Sequence, residues 1–88
     1  MLYQNYPNQF NTETRISNEV AKNTQVALKI INLQGQHVRT LVNEEKPAGF
    51  HEVIWDGKNN HGQRTKSGFY LYRLEATDFL QIKKMLLL

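Results

Sequence analysis

Turn-forming residues recur at short intervals along this chain of 88 residues. Gly, Pro, Asn and Asp suit the backbone angles of tight turns, and they mark five places. These are Gly35, Pro47 to Gly49, Asp56 to Gly62, Ser67-Gly68 and Thr77-Asp78. The pieces between them are short and rich in β-branched or aromatic residues. This spacing predicts an all-β sandwich of about six to seven antiparallel strands.

Alternation of apolar and polar side chains locates the strands. In residues 25–32, Val26, Leu28 and Ile30 alternate with polar or small residues, as in a strand with one face in the core. A turn at 33–36 joins this strand to the next in a hairpin. The predicted strands cover residues 14–20, 25–32, 36–42, 50–55, 68–76 and 79–88. Glu44 and Glu45 fall in a predicted loop beside Lys46.

The first ten residues after Met1 have an unusual composition, with Tyr3, Tyr6, Phe10, one Pro and three Asn. Such a stretch is unsuited to a regular helix or central strand, yet it is too apolar for a free linker. We therefore expect residues 1–13 to form a docking segment of the same domain, with residues 14–88 forming the sandwich. We find no internal repeat and no second domain.

Size and composition exclude several classes of protein. A chain this short has room for one thin core and no deep catalytic cleft. Its formal charge of +3 is spread along the chain, which gives little support to nucleic-acid binding. Cysteine is absent, so disulfides and thiolate sites are excluded. No apolar run is long enough to span a bilayer and no signal peptide is visible, so membrane insertion is not expected and an exported parent chain would supply the signal.

Candidate catalytic and metal-binding residues have simpler structural explanations. The loop 56–67 contains Asp and Asn, but Lys58 stands where a calcium loop of the EF-hand type needs an oxygen ligand. The three histidines lie on separate predicted elements. Neither serine at 17 or 67 has an activating context, and the carboxylates of Glu44 and Glu45 suit a solvated turn. We expect no enzyme activity, no cofactor and no metal.

Large aromatic residues allow two interpretations. Trp55, Tyr70 and Tyr72 could form a stacking platform for sugar rings or part of the sandwich core. A small domain must bury its largest side chains to be stable, so the core is favoured. Solvent-facing, coplanar rings would instead favour a carbohydrate-binding or protein-binding accessory module of a secreted hydrolase or adhesin.

Five ordered blocks of residues remain. Residues 2–11 read Leu-Tyr-Gln-Asn-Tyr-Pro-Asn-Gln-Phe-Asn, residues 30–42 contain Asn-Leu-Gln-Gly-Gln, and residues 47–57 contain Pro-Ala-Gly-x-His-x-Val-x-Trp-Asp-Gly. Residues 61–74 contain His-Gly and Ser-Gly-x-Tyr-x-Tyr-Arg-Leu, and residues 83–88 read Lys-Lys-Met-Leu-Leu-Leu. Together they resemble the C-terminal sorting domain of proteins exported by the type IX (Por) secretion system, in its Ig-like type A form. Gln9 and His61 stand where the family has Pro and Asn.

The resemblance implies an Ig-like or fibronectin-III-like sandwich without catalytic activity. Its implied partners are components of the type IX translocon, a sortase-like peptidase that commonly removes the domain, and a parent cargo protein on its N-terminal side. The implied location is the periplasm in transit, then the cell surface or the medium. A related Ig-like domain occurs in flagellar hook-cap proteins, so a purely structural module is a further alternative.

The last strand supplies the predicted recognition element. Because it is the last strand, it would leave an open sheet edge that carries Lys83 and Lys84. A receptor could pair its own strand with this edge or place carboxylates against the lysines. We predict that recognition uses the tail, with the opening segment as a second contact or a brace. The predicted tail residues are Lys83, Lys84, Met85, Leu86, Leu87 and Leu88, and those of the opening are Tyr3, Tyr6, Pro7 and Phe10.

Overall fold

Seven strands form two sheets in the computed structural model, which describes residues 1–88. They are β1 (Gln9–Phe10), β2 (Thr14–Val20), β3 (Thr24–Asn32), β4 (His37–Lys46), β5 (Gly49–Trp55), β6 (Gly68–Ala76) and β7 (Phe79–Leu87). The larger sheet has the order β1-β7-β6-β3-β4, and the smaller sheet pairs β2 with β5. The predicted all-β sandwich is confirmed. The structure contains no helix that is long and apolar enough to cross a membrane.

The β3–β4 hairpin extends further than the sequence suggested. Glu44 and Glu45 lie in β4, opposite Val26 and Gln25, so the prediction of a loop at these glutamates was wrong. Backbone pairing with β3 stabilises this stretch whatever its side chains are. β4 is an edge strand of the larger sheet, where exposed charged side chains are tolerated.

The core lies between the two sheets. The inward-facing residues of β6, Tyr70, Tyr72 and Leu74, pack against Trp55, whose ring meets Tyr70 edge to face at a centroid distance of 5.4 Å. Trp55, Tyr72 and Leu74 are fully buried and Tyr70 nearly so. The predicted core position of the aromatic residues is confirmed, so they offer no platform to a sugar.

Residues 1–13, which we call the strap, cross from one sheet to the other. The backbone of Tyr3 donates to Ser17 of β2, and Tyr6 exchanges two hydrogen bonds with Arg15. The strap then forms β1, which pairs with β7 in parallel at Gln9–Leu86 and Phe10–Leu87. The pairing of β1 with β7 is thus the one parallel pairing, and all other strand pairings are antiparallel. The strap runs antiparallel to β2 and, continuing past it, reaches the free edge of β7 in the same direction as that strand.

Asn5 holds the strap in shape. Its side-chain amide donates to the carbonyls of Pro7 and Asn8 and to Thr14 Oγ1, at 2.9 to 3.2 Å. Its backbone N–H donates to the Tyr72 hydroxyl at 2.8 Å, and this hydroxyl donates to the Tyr3 carbonyl at 2.9 Å. Burial raises the pKa of Tyr72 to about 12. A core tyrosine therefore fixes the strap to the larger sheet.

Candidate recognition surface

The two ends of the chain meet at one edge of the sandwich. The residues of β1 pair with Leu86 and Leu87, and the backbone N–H of Leu88 donates to the Phe10 carbonyl at 2.7 Å. The side-chain amide of Gln4 donates to the Lys84 carbonyl at 3.0 Å. The structure thus brings the predicted tail and the predicted opening segment together.

Several predicted recognition residues serve the core instead. Phe10, Met85 and Leu87 are 3%, 1% and 4% exposed and belong to the core cluster. They were predicted as contacts with a partner, but a partner could reach their side chains only if the sandwich opened. The reason is strand alternation, because every second residue of β7 faces the other sheet.

The open edge predicted at the tail is partly closed. β1 occupies the edge of β7 at Leu86 and Leu87, so a receptor strand cannot pair there while the strap is in place. Further along, the backbone N–H of Leu2 donates to the side chain of Gln81. The prediction of a free final edge was therefore wrong at the very end of the strand, because the strap supplies its own short strand.

What remains accessible is a groove between the strap and β7, with an open volume of about 380 Å³. We call it the terminal groove. Its lining is formed by Gln4, Asn8, Gln9, Phe69, Lys83, Lys84, Met85 and Leu86. The Lys84 ammonium lies 5.0 Å from the centroid of the Phe69 ring, within the range of a cation–π contact. Lys83 and Lys84 both line the groove from opposite faces of β7, and neither is in a salt bridge.

Apolar surface continues from the groove across the outer face of the larger sheet. Phe69, Ile82 and Leu80 are 45%, 47% and 59% exposed. The register places Phe69 opposite Leu86 and Leu71 opposite Lys84, so these side chains form adjoining rows on that face. Cations beside exposed apolar residues suit a partner segment that combines carboxylates with apolar side chains.

Tyr3 and Tyr6 lie elsewhere, on the smaller sheet. The Tyr3 ring tilts against Phe50 at a centroid distance of 6.2 Å, and its hydroxyl donates to Glu19. That hydrogen bond raises the pKa of Tyr3. Tyr6 is 76% exposed, and with Pro7 it borders a shallow hollow next to Ile54. The predicted recognition residues are therefore divided between two surfaces, and the tyrosines do not line the terminal groove.

The remaining polar candidates have structural partners. The Asp56 carboxylate accepts from Arg39 at 3.0 Å and from the Lys58 backbone at 3.1 Å. Partial burial alone would raise the pKa of Asp56, but the Lys58 hydrogen bond and the Arg39 charge outweigh it and lower the pKa. His37 bonds Thr40 and His51 bonds the Pro47 carbonyl, on different strands. No three His, Asp or Glu side chains are grouped closely enough to hold a metal ion.

A repeated turn was missed at the sequence level. Residues 32–36 (Asn-Leu-Gln-Gly-Gln) and 59–63 (Asn-Asn-His-Gly-Gln) share the pattern Asn-x-x-Gly-Gln. In each, the Asn side-chain oxygen accepts two backbone N–H bonds, from the residues two and four positions later. In each, the Gly has a positive φ, +87° at Gly35 and +79° at Gly62. The spacing could have revealed this pair, although the domain has no larger repeat.

Comparisons with known proteins agree with this architecture. The family model described as the FlgD Ig-like domain matches residues 8–78. Among solved structures, the chain is similar to PorZ of Porphyromonas gingivalis, an essential bacterial surface component of the type-IX secretion system, with a TM-score of 0.70 and 18% identity. The match covers 99% of this chain and 11% of PorZ, and at this identity it establishes the fold alone. No curated protein matches the sequence.

Proposed function

Because the chain belongs to the FlgD Ig-like domain family, we propose that it is a non-catalytic C-terminal sorting domain, which directs a parent protein across the outer membrane through the type IX secretion system. The observation that carries this proposal is the meeting of the two ends of the chain. The blocks that resemble the sorting family most distinctively are residues 2–11 and 83–88, and they pair at Gln9–Leu86 and Phe10–Leu87 beside the terminal groove.

Further support comes from the rest of the sequence and from the fold. The three central blocks also resemble the sorting family, and they occur in the order found there. PorZ, a surface component of a type IX system, contains a region of the same fold. The proposed partners are translocon components, a sortase-like peptidase and the parent cargo. The proposed route runs from the periplasm to the cell surface or the medium.

The terminal groove is the proposed contact with the translocon. Lys83 and Lys84 would meet carboxylates of the receptor, and the adjoining Phe69, Leu86 and Ile82 would give it apolar contact area. Charge complementarity of this kind mainly raises the rate of encounter and sets specificity. Met85, Leu87 and Phe10 would act indirectly, since they fix the groove by anchoring both of its walls in the core.

Export of a fused reporter tests the proposal. A periplasmic reporter with its own signal peptide is joined to the N-terminus of residues 1–88 and expressed in a bacterium with an active type IX system. The fusion is expected on the cell surface or in the medium. The same strain without its translocon is expected to hold the fusion in the periplasm. Periplasmic retention in both strains, with the domain folded, would refute the proposal.

Truncation of the tail is a poor version of this test. Removing residues 83–88 would also remove Met85 and Leu87 from the core and β7 from its pairing with β1. The domain would lose stability, and failure of export would follow from unfolding as readily as from loss of a signal. Substitutions at exposed lysines, with the melting temperature measured in parallel, separate the two effects.

A further inference from the structure

A second concave surface lies at the end of the sandwich where the β3–β4 turn meets the loop between β5 and β6. We call it the end depression. It has an open volume of about 740 Å³, within the usual size range of ligand sites. Sixteen residues line it, and only four of them are hydrophobic. None is Asp or Glu, although the chain as a whole carries 8 acidic residues.

The two repeated turns form facing walls of this depression. Besides the side-chain bonds of their first Asn, each turn is closed by a backbone bond, from Asn32 to the Gln36 carbonyl at 3.0 Å and from Asn59 to the Gln63 carbonyl at 2.9 Å. The second turn is also tied to β4, since the Asn60 backbone N–H donates to the Val38 carbonyl and the Asn60 side-chain oxygen accepts from Thr40. A surface fixed by this many bonds is largely formed before a ligand arrives, which lowers the cost of binding.

Positive charge in the depression comes from Arg64 and Lys66, and neither is in a salt bridge. The nearest acidic residues along the chain are Asp56 and Glu75, and they already pair with Arg39 and with Lys29 and Arg73 respectively. The Arg64 guanidinium lies against the backbone at Gly57, 3.3 Å from the point where a Cβ would stand. The Lys66 carbonyl accepts from the Tyr70 hydroxyl at 2.6 Å, which fixes the backbone from which the Lys66 side chain extends.

From these features we infer that the end depression binds an oligosaccharide that carries negative groups such as carboxylate, phosphate or sulfate. Amide side chains both donate and accept hydrogen bonds, as sugar hydroxyls require. Arg64 and Lys66 supply charge-assisted bonds to the anionic groups. Only four of the sixteen lining residues are hydrophobic, whereas the centre of a protein–protein interface is normally apolar. This inference does not depend on the proposed sorting function.

Titration of the folded domain, followed by NMR of the backbone amides, tests the inference. The probe is trigalacturonate, which carries three carboxylates. Its methyl-esterified form is the matched neutral saccharide, inorganic phosphate tests a bare anion, and hexaglutamate tests an acidic peptide. We expect trigalacturonate to shift amides of both turns and of residues 64–68, with affinity that falls as salt is added. The esterified sugar and the other two probes are expected to bind at least about tenfold more weakly.

Two double variants with equal loss of charge complete the test. R64Q/K66Q is expected to weaken trigalacturonate binding by about tenfold or more. K22Q/K46Q changes lysines that lie outside the depression and is expected to bind like the parent. Equal binding by R64Q/K66Q, or shifts spread over the whole basic surface, would overturn the site. Equal binding of the esterified sugar would overturn the requirement for charge, and tighter binding of hexaglutamate or phosphate would overturn the saccharide assignment.

Discussion

Substitution of Tyr72 by Phe tests whether the strap is held by the core. The substitution keeps the ring in the core and removes one hydroxyl. That hydroxyl accepts from the backbone of Asn5, a residue that is 2% exposed, and donates to the Tyr3 carbonyl. The Asn5 N–H would then be buried without a partner, at a cost of about 1–3 kcal/mol. Tyr3 is partly exposed, so water can replace the bond to its carbonyl at little further cost.

We therefore expect Y72F to lower the free energy of unfolding by about 2 kcal/mol. For a domain of this size that corresponds to a fall of roughly 8–16 °C in melting temperature. Urea unfolding followed by Trp55 fluorescence measures the free energy directly. The control is Y6F, which removes the hydroxyl of an exposed tyrosine that makes no side-chain hydrogen bond, and it should stay within about 0.5 kcal/mol of the parent. Equal stabilities of Y72F and Y6F would refute the role of the Tyr72 hydroxyl in anchoring the strap.

Three further predictions concern stability. Tyr72 should make the fold sensitive to alkali, because folding raises its pKa from 10.0 to about 12. The free energy of unfolding that this tyrosine contributes is fully present below pH 10 and falls as pH rises toward 12, by up to about 2–3 kcal/mol. Unfolding of Y72F measured over the same pH range should lack this fall. G35A and G62A should each lower the free energy of unfolding by about 1 kcal/mol, because both glycines have a positive φ that alanine adopts poorly. No atom lies near either new Cβ, so a clash adds nothing to this cost. Thermal melts that left either variant unchanged would contradict the shared turn geometry. L87A should cost about 2–5 kcal/mol through a core cavity, whereas L88A, at an exposed position, should leave the denaturation midpoint almost unchanged.

Strand positions could be predicted because their signals are local. Alternation in residues 25–32, and the spacing of Tyr70, Tyr72 and Leu74, report directly which face of each strand is buried. The predicted extent of 68–76 matches β6 and that of 14–20 matches β2. β4 was predicted too short because its last residues are charged, and only the partner strand opposite them keeps them in the ladder.

The strap and the terminal groove could be predicted only in part. Composition indicates that residues 1–13 pack on the domain, but it does not reveal that they close the edge of β7. The path of the strap depends on a hydrogen bond from the Tyr72 hydroxyl to the Tyr3 carbonyl, and these residues are 69 positions apart in the sequence. Motif resemblance singled out the tail residues together, without separating those that face the core from those that face solvent. Strand pairing in the structure shows that Met85 faces the core and that Lys84 faces solvent.

Export of variants that keep the fold tests whether the terminal groove is the element that the translocon recognises. A reporter fused to residues 1–88 is compared with the same fusion carrying K83Q/K84Q and with one carrying K22Q/K46Q, which loses the same charge on other surfaces. Melting temperatures of the three domains are measured first. We expect K83Q/K84Q to accumulate in the periplasm while K22Q/K46Q reaches the surface like the parent. Surface export of K83Q/K84Q at the parental level, or equal loss of export in both variants, would contradict this role of the groove.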